Sequence, residues 1–162
     1  MTKEELGELI MREQEGFYRI AKTVIYEDCD VGDALSEAIV KAFANLDTLK
    51  RDRYAKTWFV RILINECYNI LNKRNRLVYV DEEELKASEK PQESSDYSEL
   101  YLALEELPKE QRLCIALYYM EGYSVKEIAS MTESTVSAVK NKLLRGRKKL
   151  KELLESPIEQ SA

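Results

Sequence analysis

The sequence predicts an all-α fold: two small helical domains joined by a flexible acidic linker, the second domain a helix-turn-helix. Three observations support this. Apolar residues recur at the spacing of a helix face along almost the whole chain. Five Gly and three Pro among 162 residues are too few for the many tight turns of a sandwich or barrel. One long stretch with little to bury, residues 77–97, separates two periodic regions.

The elements follow in order. Thr2-Lys3-Glu4-Glu5 is a capping-box pattern, and Leu6, Leu9, Ile10, Phe17, Ile20, Ala21, Val24 and Ile25 then continue one helical segment. A break is expected at Tyr26–Asp30, with Asp30 as the N-cap of the next helix. That helix carries Ala34, Leu35, Ala38, Ile39, Ala42, Phe43 and Leu46 and ends near Asp47. After a polar connection from Thr48 to Lys56, a third helix runs from about Thr57 to Arg76, with Trp58, Phe59, Ile62, Leu63, Cys67, Ile70 and Leu71 on its apolar side. Trp58 opens that stripe and reads as core rather than as a base-stacking ring.

Residues 77–97 differ. A short β-like run, Val78-Tyr79-Val80, precedes a chain of carboxylates, Pro91 and several serines. Charge repulsion and the lack of apolar surface predict a flexible linker, with a solvated acidic helix over Asp81–Lys90 as the alternative.

In the second domain Leu100, Leu104 and Leu107 form one stripe before Pro108. Pro108 suits the first turn of a helix holding Leu113, Ile115, Ala116, Leu117 and Met120, closed by Gly122. Ser124-Val125-Lys126-Glu127 is a second capping box that starts a short helix with Ile128 and Ala129 inward. Met131–Ser134 reads as a turn, and Thr135 as the N-cap of a helix carrying Val136, Val139, Leu143 and Leu144 on its inner side. A short helix, a tight turn and a longer helix make a helix-turn-helix, whose second helix enters the major groove with its N-terminal part.

Composition excludes several classes. The chain has no His, which removes the commonest general base and any imidazole triad, and neither a glycine-rich phosphate loop nor a metal-ligand cluster is present. Cys29, Cys67 and Cys114 lie far apart and read as buried or half-buried free thiols of a reducing compartment. With no signal-peptide pattern and no long apolar run, the expected location is the cytoplasm. The net charge of −5 is unevenly spread. Residues 1–80 carry 13 basic and 13 acidic side chains, residues 81–110 carry 3 and 11, and residues 111–162 carry 9 and 6. From Lys140 to Lys151 there are seven basic residues and no acidic one. Local field, over a screening length of about 8 Å, decides whether phosphate is attracted. On the last helix Ser137, Ala138, Lys140, Asn141, Lys142 and Arg145 are expected to point outward, a mixture suited to base edges and phosphates.

Three blocks together carry a family resemblance. They are Asp30–Leu46 (DVGDALSEAIVKAFANL), Thr57–Leu71 (TWFVRILINECYNIL), and Leu107–Arg112 (LPKEQR) followed by the helix-turn-helix. In this order they resemble bacterial sigma factors of the extracytoplasmic-function kind, group IV of the sigma-70 family, which hold only the second and fourth conserved regions. The resemblance covers about residues 15 to 154, apart from the linker. It implies a region 2-like domain over 1–76, a linker over 77–97, a region 4-like domain over 98–155 and a tail over 156–162. Asp33, Glu37 and Lys41 would face the clamp helices of core RNA polymerase. The loop from Arg51 to Thr57, with Arg53, Lys56 and Thr57, would join Asn65 and Asn69 in holding an unpaired base of the minus-ten strand. Lys73, Arg74 and Arg76 would meet duplex phosphate upstream, and Ser137, Lys140, Asn141, Lys142 and Arg145 would read the minus-thirty-five element.

The resemblance further implies the clamp and flap of core polymerase, promoter DNA and a membrane-linked anti-sigma factor as partners. It implies no cofactor, no metal, no small-molecule substrate and no enzymatic chemistry. Two departures stand out: Ser36 replaces the family's usual Gln, and Thr132-Glu133 replaces the usual Leu-Gly of the turn. A Glu adopts a left-handed backbone only at a cost, which predicts a differently shaped turn. Two other readings remain open from the residues: a stand-alone helix-turn-helix regulator with residues 1–76 as a sensor or dimerisation domain, and a helical adaptor.

Overall fold

The structure, a computed structural model, describes residues 1–77 and 98–160 and is all-α, with no strand among the described residues. The expected linker, with its β-like run, lies almost wholly outside them. The chain forms two compact units, one built on helices α1 to α4 and the other on α5 to α8.

In the first unit, α1 (Lys3–Arg12) opens with the expected capping box. The Glu5 N–H donates to Thr2 Oγ1 at 3.1 Å, and the Thr2 N–H to Glu5 Oε1 at 3.3 Å. The segment is not one helix, however. Glu13, at φ −100° and ψ 11°, ends α1, and α2 (Gln14–Val24) starts anew. The apolar stripe explains this: between Ile10 and Phe17 it passes through Glu13 and Gln14, so nothing on that turn holds a straight helix to the core.

The next helix, α3 (Asp28–Ala44), begins earlier than expected, with Glu27 in the cap position. Asp30 is not its N-cap. It lies within the first turn, 8% exposed, and meets the Arg74 guanidinium at 2.6 Å. Arg74 also reaches Glu27 at 3.2 Å, so one cation ties the start of α3 to the far end of α4. Burial pushes the Asp30 carboxyl up, and the Arg74 charge opposes that rise. Two short 3₁₀ turns, Leu46–Thr48 and Asp52–Tyr54, lead into α4 (Ala55–Leu77). The most extensive packing in the unit is α3 on α4, with α2 against both. Ala34, Ala38 and Ala42 of α3 are fully buried at four-residue spacing. Phe59, Val60, Leu63, Ile64 and Cys67 of α4 form much of the core. Phe59 and Phe17 stack at a tilt with centroids 4.6 Å apart.

The second unit comprises α5 (Ser98–Glu105), α6 (Lys109–Ile115), α7 (Val125–Met131) and α8 (Val136–Gln160). Pro108 caps α6, and a π-helical turn, Ala116–Met120, extends it. Gly122, at φ +75°, closes that turn, with the Tyr123 N–H reaching back to Leu117 O at 3.0 Å. The wider turn shifts the register, so Met120 is exposed while Tyr123 is buried. The main packing contact is α6 on α8, which leaves no room for a side chain at Gly146. A Cβ there would lie 2.9 Å from Ile115 Cγ1.

Two outcomes follow from this packing. Gly146→Val is expected to destabilise the second unit by about 2 kcal/mol, read as a lowered thermal or denaturant midpoint, since overfilling a packed contact forces the helices apart. Cys67 and Cys114 are buried as expected, but Cys29, in the first turn of α3 on its solvent side, is exposed, and burial pushes the Cys67 thiol up to about 12. Native protein should therefore release one thiol equivalent rapidly to a chromogenic disulfide reagent, and the other two only on unfolding.

Candidate nucleic-acid interface

In the first unit α3 presents Asp33 and Glu37 on an exposed face. Lys41, expected on that face, is turned toward α4, where its ammonium donates to Glu66 Oε1. The Glu66 side chain is only 8% exposed, and hydrogen bonding to its carboxylate raises the Lys41 pKa. Lys41, Asn45 and Thr48 at the end of α3 and Trp58, Asn65 and Asn69 along α4 line one concave surface. Asn65 and Asn69 are exposed one turn apart, while Trp58 is half-buried, neither sealed in the core nor free of it.

The other expected contacts fall into two groups. Arg53 is exposed, its guanidinium 4.8 Å from the centre of the Tyr54 ring, and Lys73 is exposed on the last turns of α4. Thr57 is half-buried in the first turns of α4. Lys56 bends back to Glu13 at 3.1 Å, and Arg74 is held by Glu27 and Asp30. These two cations fasten elements within the unit, and the side chain of Arg76 lies outside the described residues. Sequence reasoning missed Glu66 and Asp30. The available signal was a carboxylate on an otherwise apolar helix face, which must find a cation.

In the second unit the helix-turn-helix forms as expected at its caps. The Glu127 N–H donates to Ser124 Oγ at 3.1 Å, and the Ser124 N–H to Glu127 Oε1 at 3.0 Å. The Ala138 N–H donates to Thr135 Oγ1 at 3.1 Å, which fixes the start of α8. The turn between α7 and α8 is not reshaped to avoid a left-handed residue: Glu133 sits at φ +53°, the conformation a glycine would take freely. On α8, Val139 and Leu143 are buried as expected, but Val136 and Leu144 are 39% and 60% exposed. At 100° per residue, a helix face centred on Val139, Leu143 and Gly146 leaves Val136 about 50° from its centre, at the edge, and Leu144 about 130° away, on the solvent side. Ser137, Lys140, Asn141 and Arg145 are exposed beside them. Ala138 and Lys142 are half-buried, and Lys142 leans toward Glu110 of α6 at 3.9 Å. Arg147 donates to Tyr119 Oη at 2.9 Å, which anchors one cation of the basic run.

The arrangement presents exposed amides on α4 and exposed cations on α8. The described residues contain no group of His, Cys, Asp and Glu suited to a metal and no helix long and apolar enough to cross a membrane.

Comparison with known proteins agrees with this division. Residues 9–77 match the Sigma-70 region 2 family and residues 97–150 the Sigma-70, region 4 family. The chain is 30% identical to RNA polymerase sigma factor SigV of Bacillus subtilis (strain 168) over 148 residues, 91% of this chain and 89% of that protein. It is 28% identical to the ECF RNA polymerase sigma-E factor of Escherichia coli (strain K12) over 134 residues, 73% of this chain and 70% of that one. Among solved structures, the sigma factor RpoE in complex with the anti-sigma factor NepR from Bartonella quintana superposes with a TM-score of 0.79 at 23% identity, over 93% of this chain and 97% of that one. CnrH in complex with the cytosolic domain of CnrY gives 0.71 at 23% identity, over 96% and 90%. At that identity the two structures speak to the fold.

The left-handed Glu133 generates a stability prediction. Glu133→Gly should be more stable than Glu133→Ala by about 1 kcal/mol, seen as a higher thermal midpoint, because both lose the carboxylate and only glycine relieves the steric cost at positive φ. Equal midpoints for the two variants would contradict the strain.

Proposed function

The chain belongs to the sigma-70 family of RNA polymerase sigma factors, and we propose that its two helical units divide promoter reading between them. The first unit binds core polymerase through Asp33 and Glu37 and receives the melted minus-ten strand on the concave surface carrying Asn65 and Asn69. Lys41 sits where that surface meets α3 and serves its wall. The second unit reads the minus-thirty-five duplex with the exposed face of α8, through Ser137, Lys140, Asn141 and Arg145. Lys142 lies on the flank of that face, and the polymerase flap is the second unit's polymerase contact. The stretch 77–97 tethers the two. In this reading the protein works in the cytoplasm and performs no chemistry of its own.

The observation that carries the proposal is that both halves match sigma-70 regions, in order, in one chain that also pairs a capped, cation-rich α8 with an amide-lined surface on α4. The RpoE structure named above is of that sigma factor in complex with the anti-sigma factor NepR. An anti-sigma factor that sequesters both units is accordingly proposed here too. A stand-alone regulator would bind duplex through α8 without polymerase, and dependence on core enzyme separates the two readings.

Run-off transcription with core polymerase should require this protein and stop when Asp33 and Glu37 are both changed to Lys. Lys140→Ala and Arg145→Ala should each weaken minus-thirty-five duplex binding and lower the salt slope by about 1. Asn65→Ala should instead weaken binding of single-stranded minus-ten DNA. Initiation that persists after the double reversal on α3, or equal losses on both probes from every variant, would defeat this assignment.

A further inference from the structure

The exposed face of α8 is not uniformly polar. Two rows run along it at four-residue spacing. One holds Ser137, Asn141 and Arg145, all hydrogen-bonding side chains. The other holds Val136, Lys140 and Leu144, of which the two apolar residues are 39% and 60% exposed. A single exposed aliphatic residue needs no explanation. Two in one row, on the capped N-terminal half of a helix whose inner side already buries Val139 and Leu143, are surplus to the core.

We propose that Val136 and Leu144 read the 5-methyl groups of two thymines in the major groove, so that they set sequence preference beside the polar row. This rests on the reading of α8 as the minus-thirty-five head. The occupant is argued from charge: seven cations and no carboxylate between Lys140 and Lys151 make this face attractive to a polyanion and poorly suited to an apolar protein partner. Within a duplex, the exposed aliphatic feature that the major groove offers is the thymine methyl, which apolar side chains recognise. Eight residues of helix rise by about 12 Å, and base pairs step by about 3.4 Å, so the two thymines lie about three to four base pairs apart.

The test uses holoenzyme reconstituted with the full chain and a duplex that this holoenzyme enriches from a random-sequence pool. Each thymine of the minus-thirty-five element is replaced in turn by uracil, which keeps every hydrogen-bonding group and lacks only the methyl. For the wild-type protein, replacement at two positions should weaken binding about fourfold each, the loss expected for one methyl left in water. Val136→Ala should abolish the difference between thymine and uracil at one position and Leu144→Ala at the other. If wild-type holoenzyme binds and initiates but no replacement alters its affinity, the inference is overturned while the promoter-reading function stands. It is overturned in the same way if both alanine variants keep full discrimination. If the holoenzyme enriches no duplex at all, the proposed function fails and this inference falls with it.

Discussion

The close approach of α3 to α4 is the constraint on which the first unit depends. Three alanines four residues apart on α3 are wholly buried, and each presents only a methyl to its neighbour, so α4 can lie near the α3 backbone. That proximity has electrostatic consequences. It lets Arg74, near the end of α4, reach Glu27 and Asp30 at the start of α3, and it lets Lys41, near the end of α3, reach Glu66. Two cations, through three ion pairs, thus pin the helices at opposite ends of their contact. Because Asp33 and Glu37 stand on α3 while Asn65 and Asn69 stand on α4, the same contact fixes the spacing between those carboxylates and those amides.

The second unit solves an analogous problem with one residue. Gly146 admits Ile115 where any side chain would collide, so α6 buttresses the middle of α8 and leaves its opposite side to solvent. Helix α8 is therefore oriented by what is missing from its inner face. Its start is fixed independently by Thr135, and the left-handed Glu133 turns the chain sharply enough for α8 to follow α7. A backbone held in a costly conformation at a turn next to a binding helix is the kind of local strain that surrounding structure must over-determine.

Much of this was legible in the sequence, and the failures share a cause. Capping boxes at Thr2 and Ser124 are written in four consecutive residues, so they could be read directly and both formed. The helical periods were equally local. Their phase was not: whether Leu144 turns inward depends on a single residue step, which is settled by Gly146 meeting Ile115 across the unit. Asp30 looks like an N-cap because a cap needs only a carboxylate before a helix, and it became an ion-pair partner because Arg74 arrives from far along the chain. Lys41 shared a periodic row with Asp33 and Glu37, yet its long stem bends to the buried Glu66. The break at Glu13 was visible as two polar residues on the apolar stripe, a signal that a looser reading of periodicity passes over.

The Lys41–Glu66 pair has a further consequence, on the scale of descent rather than of one molecule. Glu66 is only 8% exposed, so a change at Lys41 alone strands a buried carboxylate, whereas the Lys41 side chain, 45% exposed, can turn to solvent when Glu66 changes. Losing Lys41 first is therefore costlier than losing Glu66 first or replacing both by residues that pack together. Lys41 should accordingly be kept wherever Glu66 is kept, while the reverse dependence is weak. A lineage that abandons the pair gains an uncharged wall beside Asn65 and Asn69, and with it a surface of different electrostatic character.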